Sequence, residues 1–159
     1  MNLRKFLDVN WKTVKLFLSI GDYYIPGAIF YRITEMDFDD YVPKTYISKP
    51  LLLHKNYDTF KKHTTRFNLN KVLKRYFGNA AFVEHMVSKK YILKYWKECN
   101  NKNIFEEYLR NETSVCFLTK SENRILPRIK GKDNFENALI TYKKCKIEIK
   151  HFNFDFEKK

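Results

Sequence analysis

Asp133 lies fifteen positions upstream of the triplet Glu148-Ile149-Lys150. Two carboxylates brought together from such positions could hold a divalent ion while the lysine positions or activates the attacking water, so phosphodiester hydrolysis is the reaction these three would carry. His63, with Glu84 or His85 as its partner, could act as the acid–base pair of a ribonuclease, although nothing in the spacing selects it. The acidic cluster Glu35, Asp37, Asp39 and Asp40 lacks the fixed ligand spacing of a calcium or magnesium loop and reads as a solvated turn. His54, His63, His85 and His151 never meet a cysteine or one another at zinc spacing. The four glycines are too scattered for a phosphate-cradling loop, which argues against nucleotide hydrolysis. The expectation is a chain with no metal, no cofactor and no small-molecule substrate.

The elements that would position these residues follow from periodicity. Trp11, Val14, Phe17 and Leu18 recur at helical spacing, with Asp8 able to cap and Gly21 able to end a helix over 8–20. Residues 23–33 are aromatic and β-branched and read as a strand with a kinked entry at Pro26-Gly27. An extended stretch over 42–47, a tip over 48–58 containing Pro50, and a second extended stretch over 59–69 read as a long basic ribbon. Phe82, Val83, Met86 and Val87 have helical spacing and precede the apolar run Tyr91 to Trp96, which predicts two helices broken near Gly78. A helix over 104–110, a strand over 113–119 and a loop over 121–134 come next. Cys145, Ile147 and Ile149 alternate with Lys146, Glu148 and Lys150, the period of a strand with one buried face.

The net charge of +13 is unevenly placed. Residues 1–40 carry five basic and six acidic side chains, and residues 103–159 carry twelve and nine, whereas residues 41–102 carry fourteen and three. A local excess of +11 in one continuous segment is the electrostatic footprint of a polyanion contact. With 44% hydrophobic and 17% aromatic residues there is ample material for a core. No apolar run approaches the roughly 20 residues of a membrane span, so no membrane partner is expected. Cys99, Cys116 and Cys145 are odd in number and irregular in spacing, which fits a reducing compartment. Met1 to Leu7 lacks the apolar region and cleavage site of a secretory signal, and Asp8 follows too soon for a typical transit peptide. The excess of Lys, Asn, Tyr, Phe and Ile fits AT-rich coding DNA and an organelle with its own genome.

Thr45-Tyr-Ile-Ser-Lys-Pro50-Leu-Leu-Leu-His54-Lys55-Asn-Tyr-Asp58-Thr-Phe60-Lys-Lys-His63-Thr64-Thr-Arg66 resembles the central stretch of small-subunit ribosomal protein ten, a universal family. Pro50, Lys55, Asp58, Phe60 and Thr64 match in position or type. Upstream, Leu7-Asp8, a helix, Gly21 and Pro26-Gly27-Ala28-Ile29 are similar to the family's succession, displaced by a residue or two. The sequence departs from the family at His54, His63, Thr65 and Phe67, where basic residues are usual.

The resemblance implies an α+β fold: a ferredoxin-like β-α-β-β-α-β core with a long protruding β-ribbon and added helices. Residues 1–69 and 103–119 would form the core, with the ribbon over 42–69 and the first strand within Met1 to Phe6. Residues 70–102 would be a helical insertion, and 120–159 a C-terminal extension with a strand. The implied function is that of a non-enzymatic constituent of the small ribosomal subunit, in its head region and in the mitochondrial matrix. Its partners would be small-subunit ribosomal RNA and neighbouring ribosomal proteins. Lys44, Lys49, His54, Lys55, Lys61, Lys62, His63, Thr64 and Arg66 would meet RNA, and Leu51, Leu52 and Leu53 would meet a protein neighbour. The alternative is a metal-dependent nuclease of the restriction-enzyme type using Asp133, Glu148 and Lys150.

Overall fold

The computed structural model describes residues 1–35, 38–65 and 68–154. It is a mixed α+β structure with a four-stranded sheet.

The chain opens with helix α1 (Leu3–Ser19), whose buried residues Leu3, Phe6, Leu7, Val14 and Leu18 fall on one helical face. Asn2, not Asp8, caps it by accepting the Lys5 N–H at 2.8 Å. Gly21, at φ 80°, ends it as expected. Met1 to Phe6 therefore starts a helix and supplies no strand. Helix α2 (Tyr24–Glu35) replaces the strand expected over 23–33. Asp22 accepts the Tyr24 N–H at 2.8 Å, Pro26 sits in the first turn where no intrahelical donor is needed, and Pro26, Phe30, Ile33 and Thr34 are buried at helical spacing. Here period outweighs β-branched composition.

Strand β1 (Lys44–Ser48) is followed by helices α3 (Lys49–Leu52), α4 (Tyr57–His63) and α5 (Leu69–Phe77). The expected basic ribbon is thus one strand and then helices. Pro50 opens α3, while Asp58 at the start of α4 and Lys61, Lys62 and His63 at its end complement the helix dipole. Gly78, at φ 67°, ends α5 where a break was expected. The second helix then begins later than the sequence suggested, because Ala81–His85 forms strand β2, an edge strand whose exposed Phe82 spoils clean alternation. Helices α6 (Lys89–Glu98) and α7 (Lys102–Glu112) lead to strand β3 (Ser114–Thr119), helix α8 (Lys120–Ile125), helix α9 (Phe135–Lys144) and strand β4 (Ile149–His151).

The sheet order is β2-β3-β1-β4. β1 and β3 run parallel, with Tyr46 opposite Cys116 and Ile47 opposite Phe117, and the two outer strands are antiparallel to their neighbours. A ferredoxin-like core shares this order but has an antiparallel central pair joined to a β2–β3 hairpin. Here α3 to α5 bring β2 back antiparallel to β1, so β3, which is antiparallel to β2, runs in the same direction as β1. The C-terminal segment completes the sheet through β4. Its alternation holds in part: Ile147 is buried, Cys145 and Ile149 are half-buried, and Lys146, Glu148 and Lys150 are exposed, but Lys146 takes a left-handed φ of 58° and only residues 149–151 pair as strand.

Three apolar clusters follow from this. Helices α1, α2, α6 and α7 pack around Phe30, Trp96, Phe105 and Leu109. Helices α3 to α5 cover one sheet face through Leu51, Phe60, Leu73 and Phe77 against Ile47 and Phe117. Helix α9 covers the other, setting Ala138 and Tyr142 on Cys116 and Leu118. The segment 70–102 is therefore shared among all three clusters, Met86 reaching the one under α9. Among the described residues, no helix is long and apolar enough to cross a membrane.

Candidate nucleic-acid interface

Helices α4 and α5 bury their apolar residues against the sheet and turn their basic residues outward. On α5, Leu69, Val72, Leu73 and Phe77 face inward, while Lys71, Lys74 and Arg75 are exposed. Lys71 and Arg75 are one turn apart on the same face. Lys55 and Lys62 are exposed on the neighbouring segment. At the end of α4, the exposed His63 ring lies nearly parallel to Tyr76, tilted by 13° with centroids 6.1 Å apart. The Arg75 guanidinium stands 5.6 Å from the Tyr76 ring centre.

Backbone anchors hold this group. Asn68 donates to the His63 carbonyl at 3.0 Å and accepts the Thr65 N–H at 2.8 Å, fixing the link between the two helices. Asn56 donates to the Tyr76 carbonyl at 2.8 Å and ties the start of α4 to the end of α5. His63, Asn68, Lys71, Val72, Arg75 and Tyr76 together line a cleft of about 300 Å³. His63 is exposed and Tyr76 half-buried, and cations beside such flat rings are the chemistry by which proteins hold a phosphate backbone and stack its bases.

The residues expected to meet RNA divide sharply. Lys55, Lys62 and His63 lie on this outward surface. Lys61 is half-buried there. Lys44 instead donates to the Asn111 carbonyl at 2.9 Å and sits 4.1 Å from the centre of the Phe135 ring. Lys49 is ion-paired with Glu148 at 2.8 Å. The His54 ring accepts the Asn56 N–H at 3.1 Å and sets its edge against Phe77, which makes it part of a turn. Thr64 is buried and donates to the Phe60 carbonyl, closing α4. Arg66 lies outside the described residues. Of the apolar tip, Leu51 is buried in the chain's own core and Leu52 is half-buried, which leaves Leu53 as the exposed member. Lys71, Arg75 and Tyr76 were missed as contacts. Their signal was the i, i+4 basic pair beside an aromatic on a helix already expected at 70–77.

The nuclease constellation does not assemble. Asp133 accepts from the Asn137 side chain at the start of α9, and the next turn is pinned to Glu112, just before β3, by the Phe135 N–H at 2.6 Å. Glu148 pairs with Lys49 at the far end of β1. Because β1 and β3 are parallel, the two carboxylates stand at opposite ends of the sheet. The ribonuclease pairing fails too. Glu84 is ion-paired with the buried Lys132 on the face covered by α9. His85 packs between Phe30 and Tyr31 with Nε2 3.3 Å from the Thr34 hydroxyl, and its pKa is pushed down to about 4 by burial and then by Lys132 and Lys89. Of the acidic cluster, Asp39 pairs with the N-terminal amine at 2.9 Å, and Asp40 accepts the Leu3 N–H at 2.9 Å and pairs with Arg110 at 2.6 Å. Asp37 lies outside the described residues. Among the described residues, no three His, Cys, Asp or Glu side chains gather as metal ligands. The thiol of Cys116 is buried and pushed up in pKa by that burial, while Cys99 and Cys145 are half-buried; all three are free.

What the α4–α5 surface can do chemically is hold a polyanion and present rings to its bases. No protein-family model, curated protein or solved structure matches this chain.

Proposed function

We propose that the chain is a non-enzymatic RNA-binding protein, built into a ribonucleoprotein particle and held there by the outer face of α4 and α5. The observation that carries this reading is the grouping of Lys71 and Arg75 with the parallel His63 and Tyr76 rings in one cleft, on helices that also expose Lys62 and Lys74, within the segment that holds nearly all the excess charge. The resemblance of residues 45–66 to small-subunit ribosomal protein ten supplies the particle. On this reading the partners are small-subunit ribosomal RNA and neighbouring ribosomal proteins, in the mitochondrial matrix. The chain keeps the strand order of a ferredoxin-like core and meets RNA through helices. Leu53, 73% exposed at the end of α3, is the apolar residue left for a protein neighbour.

Sedimentation of the tagged chain under conditions that preserve ribosomes tests this. Co-migration with small subunits and their RNA is expected. A chain that stays at the top of the gradient, free of RNA, would remove the proposal.

A further inference from the structure

Resting on the RNA-binding reading, we infer that the cleft between α4 and α5 takes an unpaired base, so that the protein prefers single-stranded RNA and reads little of its sequence. The cleft's volume of about 300 Å³ lies at the lower end of small-ligand sites, room for one nucleotide and too little for a duplex. Its aromatic members share nearly one orientation, so a flat ring laid against the pair meets faces already aligned for stacking. Paired bases are stacked on one another within a duplex and cannot reach those rings; a duplex offers this surface phosphates, 2′-hydroxyls and groove edges but no free base face.

The polar groups point the same way. The Asn68 carboxamide, the lining group best suited to reading base edges, is engaged at both its oxygen and its nitrogen by the backbone of Thr65 and His63. Of the remaining lining residues, Lys71 and Arg75 are cations suited to phosphates, and His63 and Tyr76 offer their ring faces. Stacking without directed hydrogen bonds is tolerant of sequence, because every base has a flat face.

The test uses the full chain and fluorescence anisotropy with a labelled mixed-sequence RNA of about 12 nucleotides, free or annealed to its complement, over a range of salt. The single strand should bind at least about tenfold tighter than the duplex. Tyr76→Leu and His63→Ala should each weaken single-strand binding by roughly five- to a hundredfold, the range expected for one base–ring stack, without changing the salt slope or duplex binding. His63 is exposed, so its variant keeps the test sound should Tyr76→Leu fail to fold. Equal affinity for both RNAs, or ring variants without effect while Lys71→Gln and Arg75→Gln weaken binding to both, would overturn the inference and leave the RNA-binding reading standing. No binding of either RNA at low salt would overturn both.

Discussion

In the cluster built from α1, α2, α6 and α7 the charged side chains answer one another, whereas on α4 and α5 they face outward. Asp8 pairs with Lys102, Arg4 with Glu106, and Arg110 with both Asp40 and Glu106. Lys15 donates to the carbonyls of Lys97 and Cys99 at the end of α6, where a cation complements the helix dipole. Among the described residues, Lys55, Lys62, Lys71 and Lys74 join no ion pair. Exposed pairs contribute roughly 0–1 kcal/mol each, so the helical cluster is held by its aromatic core rather than by its charges. The comparison teaches that the same residue types serve two ends: paired, they set orientation and neutralise a surface; unpaired and grouped, they leave a field for a polyanion.

The core side of that contrast gives the largest expected effect. Trp96 is fully buried, 4.6 Å from the Phe105 ring and 6.0 Å from that of Trp11. Trp96→Ala should cost about 3–5 kcal/mol in urea unfolding, while the folded fraction keeps its RNA affinity. Reduced affinity in folded Trp96→Ala protein would merge the two regions into one functional unit.

A second effect comes from His85, between the helical cluster and the sheet. Its folded pKa of about 4 lies below the ordinary 6.5, so as pH falls between these values the unfolded chain takes up a proton that the folded chain refuses. Stability should therefore be full above pH 6.5 and decline toward pH 4, by at most about 3 kcal/mol from this group. His85→Gln should flatten that decline in unfolding measured at pH 7, 5.5 and 4.5. An equally steep decline in the variant would assign the acid sensitivity to other groups.

The charge side is tested by counting counterions. Changing Lys62, Lys71, Lys74 and Arg75 to Gln should weaken single-stranded RNA binding and reduce its salt slope by about 0.7 for each phosphate that no longer faces a cation. The same change at Lys143, Lys144 and Lys146, at the end of α9, should do much less. Equal losses of affinity from the two sets would show that total charge, and no particular face, governs binding.

The smallest effect is expected at Glu148, an exposed residue paired with the exposed Lys49. Glu148→Ala should shift stability by less than about 1 kcal/mol. Purified protein with magnesium or manganese should leave RNA and DNA intact. Metal-dependent cutting that disappears in this variant would restore the nuclease reading.

Periodicity and charge were legible in the residues themselves. The helix carrying Trp11, Val14 and Leu18, the strand over 114–119, the helix over 102–112, the break at Gly78 and the buried Ile147 between exposed neighbours all follow from local pattern, which depends only on spacing along the chain. So does the basic excess over 41–102. What neighbours in space decide was not legible. Residues 24–35 and 57–63 are short segments whose apolar content suits helix or strand, and they are helical because Phe30 and Phe60 each find a core to fill. The parallel pairing of β1 with β3 depends on α3 to α5 bringing β2 back antiparallel to β1. Glu148 looked like a metal ligand until Lys49, ninety-nine residues away, took its carboxylate. His63 and Tyr76 sit thirteen positions apart on different helices, so no local period relates them. Their alignment arises only when α4 and α5 pack on the same sheet face, and side-chain partners brought together that way are a property of the packed chain.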